Sequence, residues 1–218
     1  MANQTAVERE LKFSLLETTF PLVEDLKAVF KKQGYVLEPP DSHHIHDVYF
    51  DTPKAALRNA SMALRQRTVN GKQLATLKRE QLNATDIPLQ TSNELELPLE
   101  DDGWPFEIRR AVAEVAPLLT LRMLVDINIH RVSYVVSRLG RALAVISFDD
   151  VSVMQRKTEV TAHFAEVEIE ALGKTSSEKL NDFADIVMQT ADITPCFVNK
   201  LQRSLALLDL AETLEQGF

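Results

Sequence analysis

Charged and apolar positions alternate over short runs of this chain with a period of two, and the sign of the charge changes from run to run. In Val7-Glu8-Arg9-Glu10-Leu11-Lys12-Phe13, two glutamates and a lysine hold alternate positions, while Val7, Leu11 and Phe13 hold the others. Successive side chains of a strand point to opposite faces, so Glu8, Glu10 and Lys12 share one surface and the apolar residues share the other. The same reading groups Arg65 with Arg67, Glu94 with Glu96, and Glu166 with Glu168 and Glu170. Many strands with one ionic and one apolar face predict a barrel with a polar interior and a packed exterior. An ordinary small barrel is the reverse.

Strand patterns fall near residues 7–16, 43–51, 62–69, 73–80, 91–98, 124–136, 141–150 and 163–171. Asn70-Gly71 between two of them is a hairpin signal, because both central positions of the favoured turn need φ > 0. Helical spacing predicts helices over 21–33, ended by Gly34, and over 106–119. A third starts at Thr175, with Glu178 placed to close a capping box. A fourth covers 197–214, with Leu201, Leu205 and Leu208 on one stripe. The fold class is therefore α+β: an eight-stranded, mostly antiparallel, closed or nearly closed β-barrel with helices packed outside. No linker rich in Pro, Gly or Ser divides the chain, so a single domain over 1–218 is expected, with its core at about 6–208.

With 218 residues and 45% hydrophobic content the chain can bury a substantial core. Its formal charge of -8 argues against a general nucleic-acid or membrane binder, yet leaves room for a small internal cationic site. A lone cysteine, Cys196, forms no intramolecular disulfide framework and reads as a small buried residue. No apolar run approaches the ~20 residues that cross a bilayer, and the N-terminus lacks a signal-peptide pattern. The cytoplasm is the default compartment. Oligomeric state is not legible.

Arg65, Arg67 and Lys78 sit on adjacent predicted strands, and Lys12, Arg131 and Lys200 converge with them if the sheet closes. Guanidinium forks and ammonium groups suit phosphate oxygens, and such cations repel one another unless a polyanion lies between them. Glu8, Glu10, Asp149, Glu166 and Glu168 form the complementary set, a hard-oxygen donor group of the kind that selects Mg²⁺ or Mn²⁺. Asp149 shares its strand face with Ser147, whereas Asp150 shares the apolar face of Phe148 and Ile146, so Asp149 is assigned inward. For each cation alone, and for Glu166, Glu168 and Glu170 as a set, the competing reading is an ordinary solvated face. His43, His44 and His46 read the same way ahead of a metal site, and Trp104 as a loop anchor.

Glu8-x-Glu10-x-Lys12 resembles the ExExK signature of the CYTH, or triphosphate tunnel metalloenzyme, superfamily. Further blocks match in order: Val48-Tyr49-Phe50-Asp51-Thr52-Pro53, Leu64-Arg65-Gln66-Arg67, Thr76-Leu77-Lys78, Asn93-Glu94-Leu95-Glu96, Ser147-Phe148-Asp149, Glu166-x-Glu168-x-Glu170 and Asn199-Lys200. The similarity spans about residues 6–208 and is greatest to the N-terminal module of bacterial inorganic triphosphatases, without the helical CHAD domain that often follows it. It implies a tunnel that binds a small-molecule triphosphate through Lys12, Arg65, Arg67, Lys78, Arg131 and Lys200. It further implies Mg²⁺ or Mn²⁺ on Glu8 and Glu10, with Asp149, Glu166 and Glu168 opposite. Glu94, Glu170 and Arg203 are secondary positions.

Two features depart from that pattern. Arg131 is in phase with Ile127 and Ile129 and not with an obviously polar face, so periodicity does not support it, and a β-bulge is one way to re-aim it. Ile129 also stands where some relatives carry a lysine able to activate water, which leaves the general base open. The expected reaction is metal-dependent hydrolysis of tripolyphosphate to pyrophosphate and phosphate, with Glu166 or Glu168 orienting water. Thiamine triphosphate hydrolysis, class IV adenylate cyclase chemistry and a non-catalytic polyphosphate- or nucleotide-binding module are the competing readings.

Overall fold

The computed structural model describes residues 6–16, 20–81, 88–100, 103–155 and 159–216. Its elements run β1 (Ala6–Leu15), α1 (Val23–Lys32), β2 (Val36–Leu37), β3 (Asp41–Asp51), α2 (Ala56–Asn59), β4 (Met62–Val69), β5 (Lys72–Gln81) and β6 (Leu89–Pro98). There follow α3 (Phe106–Ala113), a 3₁₀ turn (Leu118–Thr120), β7 (Arg122–Arg138), β8 (Arg141–Met154), β9 (Thr161–Ala171), α4 (Ser177–Val187), β10 (Ile193–Pro195) and α5 (Lys200–Gln216).

Eight long strands close into an antiparallel barrel in the order β1-β6-β5-β4-β3-β7-β8-β9, and β9 pairs back with β1. Closure leaves these strands no open edge. Short β2 and β10 attach to β7 and β1. The hairpin at Asn70 and Gly71 is present, with φ of 51° and 72°, and it sets the register of Arg65 against Thr76.

Three apolar clusters hold the barrel. Leu26 and Phe30 of α1 and Leu180, Phe183 and Val187 of α4 cover Leu11, Phe13, Ile146, Phe148, Val167 and Ile169 on the outer face. Leu57 of α2 with Ile108 and Val112 of α3 covers Met62, Leu64, Ala75 and Leu77. Burying each such side chain contributes roughly 1.5–3 kcal/mol. The third cluster lies on the inward face: Ile45, Ile127, Ile129, Val151, Val153 and Phe164 pack with Leu201 and Leu208 of α5. The interior thus has an apolar part filled by α5 and an ionic part beside it. Val7, grouped by phase with Leu11 and Phe13, instead stays 62% exposed at the rim.

Several boundaries differ from the sequence pattern for local reasons. The helix expected over 106–119 stops at Ala113, because Pro117 cannot continue it, and a 3₁₀ turn follows. The cap of α4 is Ser176, whose Oγ accepts from the Lys179 amide at 3.4 Å, while Thr175 donates to Leu172 O. The segments β2, α2 and β10 are too short to show a period. Asp51, from the Tyr49-Phe50-Asp51-Thr52-Pro53 block, serves the fold: Oδ1 accepts from the Thr52 and Leu57 amides at 2.7 and 2.9 Å. No helix among the described residues is long and apolar enough to cross a membrane.

Candidate active site

The ionic part of the bore is a cavity of about 410 Å³. Lys12 from β1, Arg65 and Arg67 from β4, Lys78 from β5, Arg131 from β7 and Lys200 at the start of α5 all line it. Glu8, Glu10, Glu94, Glu168 and Glu170 line it as well, together with Tyr49, Glu80, Glu96 and Asn199. Asp149 and Glu166 lie behind this lining, in contact with Arg131 and Lys200, and Arg203 lies behind Glu166.

Barrel closure explains the arrangement. Arg131 pairs in register with Asp149, Asp149 with Glu166, and Glu166 with Ser14; the adjacent row runs Ser133, Ser147, Glu168, Lys12. No bulge interrupts β7 between Ile127 and Arg131; its register shifts lie at Val136/Ser137 against β8 and between Met123 and Val125 against β3. Arg131 thus reaches the cavity without a bulge to re-aim it. Ile127, Ile129 and Arg131 all face inward, the isoleucines under α5 and the arginine in the ionic part.

Arg131 gives Nε to Asp149 Oδ1 at 2.7 Å and a terminal nitrogen to Asp149 Oδ2 at 2.6 Å and to Glu168 Oε2 at 2.5 Å. Lys12 Nζ donates to Glu168 Oε1 at 2.8 Å and lies 3.5 Å from Glu10. Lys200 reaches Asp149, Glu166 Oε1 at 2.8 Å and Glu168 Oε1 at 3.4 Å. Across the cavity, Lys78 contacts Glu8 at 2.5 Å and Glu10 at 2.9 Å. Arg65 lies 3.4 Å from Glu94 and 3.5 Å from Asp47, and donates to Tyr49 Oη at 3.3 Å. Arg203 sits 4.3 Å over the Phe164 ring, 3.6 Å from Glu166 and within reach of Ala165 O. It buttresses Glu166 from α5.

Burial opposes charge on Lys12, but Glu10, Glu168 and Glu166 overcome it and hold the ammonium protonated well beyond its usual range. Burial is likewise outweighed on Arg131 by Asp149 and Glu168, and Lys200 is raised by Asp149, Glu166 and Glu168. The carboxylates split. Burial pushes Glu166 up, whereas Lys12, Lys200 and Arg131 pull Glu168 well below the usual carboxylate range against its own burial. Glu170 is pushed up to about 7 by burial and by the like charges of Glu8, Glu10 and Glu168.

These groups fit a hard divalent cation. Ligand oxygens of Asp149, Glu166 and Glu168 lie within 4.8 Å of one another. Glu166 Oε1 is buried and, though 2.8 Å from Lys200 Nζ, has no hydrogen bond of acceptable geometry. Glu8, Glu10 and Glu170 form a second acidic group whose mutual repulsion a cation would relieve.

Asp47 is the residue that pattern reading missed. It is fully buried and takes both donors of Arg67, at 2.8 and 2.7 Å. Its phase with Tyr49 was the available signal, masked by the histidines before it. Those histidines stay apart from the ionic cavity: His44 stacks on His130 at 4.9 Å, His46 meets Asp126 at 3.1 Å and His43 meets Asp41 at 2.9 Å. Among the described residues, no group of three potential ligands includes a histidine. Trp104 packs edge-on against Phe50 at 5.1 Å.

The sequence profile of the CYTH domain matches residues 6–205. None of the curated proteins compared with the chain matches it. Among solved structures, it is similar to HpAC1 from Hippeastrum, described as an adenylyl cyclase candidate with a dominant triphosphatase activity: TM-score 0.59, 17% identity, 91% of this chain and 95% of that one covered. An adenylate cyclase candidate from Bacillus halodurans superposes with TM-score 0.56 and 18% identity over 90% and 97% of the two chains. The Mimivirus capping enzyme triphosphatase gives 0.53 and 13% over 84% and 89%.

Proposed function

The chain belongs to the CYTH domain family, and from that premise we propose that its bore hydrolyses a linear triphosphate, with inorganic tripolyphosphate as substrate and pyrophosphate and phosphate as products. One observation carries the reading: six cationic side chains from five separate elements converge on a single cavity of about 410 Å³. A ring of cations around one walled space suits a short polyanion. Phosphoryl transfer is catalysed mainly by positioning and charge stabilisation, which such a ring supplies in advance.

Lys12, Arg131 and Lys200 bind phosphate oxygens from the β1–β7–β9 side, and Arg65, Arg67 and Lys78 from the β4–β5 side. Mg²⁺ or Mn²⁺, held by Glu8 and Glu10 with Asp149, Glu166 and Glu168 as the opposing set, would neutralise phosphate charge and act as a Lewis acid. Glu168 lines the space, stays ionised and orients the attacking water. Glu166, buried behind it with raised proton affinity, keeps Lys200 in place. HpAC1's described triphosphatase activity supports the reaction class without naming this chain's substrate.

Phosphate release from tripolyphosphate, thiamine triphosphate and nucleoside triphosphates, with Mg²⁺ and then Mn²⁺, tests the proposal. Fastest release from tripolyphosphate, with pyrophosphate as co-product, is expected. Formation of cyclic AMP, preferential formation of thiamine diphosphate, or tight binding with no turnover would each replace it.

A further inference from the structure

Two residues of β3 stand behind the two arginines of β4. In the register of the pair, Asp47 faces Arg67 and Tyr49 faces Arg65. The contacts differ in kind. Both oxygens of Asp47 engage Arg67, Nε to Oδ1 at 2.8 Å and a terminal nitrogen to Oδ2 at 2.7 Å, a planar fork on a planar acceptor. Arg65 touches the same carboxylate only at 3.5 Å, its contacts to Tyr49 and Glu94 are 3.3 and 3.4 Å, and its buried Nε has no hydrogen-bond partner. One guanidinium is held and the other is loosely tethered.

On the reading that the bore takes a linear triphosphate, we infer that Asp47 is a positioning residue that fixes Arg67 toward the phosphate chain and lets Arg65 close on it. Asp47 has no exposed surface and lies behind the cavity wall, so it acts through the arginines and not on substrate. Arg65 and Arg67 are two positions apart on one strand face and repel each other; a buried carboxylate against both lowers that cost. The same two cations, with the Arg67 hydrogen bonds, hold Asp47 below the usual carboxylate range despite its burial. The ion pair uses Arg67 Nε and one terminal nitrogen and leaves the second out of it, on a side chain that lines the bore. Arg65, which lines the bore and is held only by contacts of 3.3 to 3.5 Å, keeps freedom to turn toward a phosphate oxygen.

Physical chemistry allows an opposite role, in which Asp47 competes with phosphate for Arg67, and the two roles predict opposite signs. Asp47→Asn retains the shape and removes the charged, two-pronged acceptor. Positioning predicts a KM for tripolyphosphate raised about tenfold, the scale of one charge-assisted contact, with kcat within about threefold of wild type. Calorimetric affinity for tripolyphosphate falls in parallel. In an Arg67→Ala background the same substitution should lose most of its effect, keeping only what passes through the longer 3.5 Å contact with Arg65, which a general structural defect would not reproduce. Arg67→Lys, which keeps the charge for Asp47 but cannot form the fork, is the second variant and should raise KM similarly even if Asp47→Asn fails to fold. An unchanged or lowered KM in the folded variants, or a full Asp47→Asn effect in the Arg67→Ala background, overturns the inference alone. A wild-type chain that neither binds nor turns over tripolyphosphate overturns it together with the triphosphatase reading.

Discussion

Arg131 and Asp149 face each other across β7 and β8 through two parallel contacts of 2.7 and 2.6 Å, and Asp149 has no exposed surface. The pair sits where the inward face of the barrel changes from apolar to ionic: one step along β7 are Ile129 and the α5 cluster, and the next is the phosphate-sized cavity. Removing one member strands the other in a dry setting. Arg131→Ala should cost about 3 kcal/mol, the lower end for breaking a buried pair, because Lys200 still contacts Asp149. Urea unfolding measures this, and a loss below about 1 kcal/mol would mean that the pair is hydrated.

Arg65→Ala and Lys78→Ala remove cations from the wall opposite. Each should weaken tripolyphosphate binding by roughly 10- to 100-fold, the range for a hydrogen bond to a charged group. Isothermal calorimetry reads it directly. Wild-type affinity in both variants would place the anion elsewhere.

Glu8→Gln combined with Glu10→Gln keeps the shape of both side chains and takes two charges from the wall that pairs with Lys78. Metal-dependent turnover should fall by at least about 100-fold while circular dichroism stays native. Normal turnover in that double variant refutes the metal assignment.

Glu170, pushed up to about 7, gives stability a defined pH dependence. A carboxyl whose folded value is raised binds its proton more tightly in the native state. The stability this adds is fully present below the unfolded value near 4.5 and is lost as pH rises through about 7. Metal-free protein should therefore show a lower urea midpoint at pH 8 than at pH 6, and Glu170→Gln should flatten that decline. An identical slope in the variant would show that Glu170 is not the titrating group.

Leu208 of α5 is 1% exposed against the inward apolar residues. Leu208→Ala should destabilise the chain by about 2–4 kcal/mol, and it should weaken tripolyphosphate binding because the same helix delivers Lys200. Thermal unfolding and calorimetry on one sample separate the two effects. Loss of stability with undiminished binding would show that Lys200 holds its place without the helix packing.

Much of this architecture was legible as a period of two. Alternation fixes which residues share a strand face, so Glu8 with Glu10 and Lys12, Arg65 with Arg67, and Glu166 with Glu168 could be grouped before any coordinates. Charge placement then argued for an interior bore, because that many ionic faces on apolar-backed strands leave the helices only the other side to cover. Arg131 and Asp47 resisted the same logic. Arg131 follows two isoleucines in phase, and periodicity cannot tell that one face is greasy under α5 and ionic one residue pair later. Asp47 stands behind a run of histidines whose side chains end in surface contacts.

Phase along one strand is a local property set by backbone geometry, and the amino-acid order determined it unaided. Which face turns inward, which carboxylate meets which cation, and where α5 enters the barrel depend on the ring of eight strands closing in one register. Coulomb and hydrogen-bond energies act over a few ångströms between residues far apart in the chain, 156 positions in the case of Lys12 and Glu168, and only the folded chain brings such pairs together.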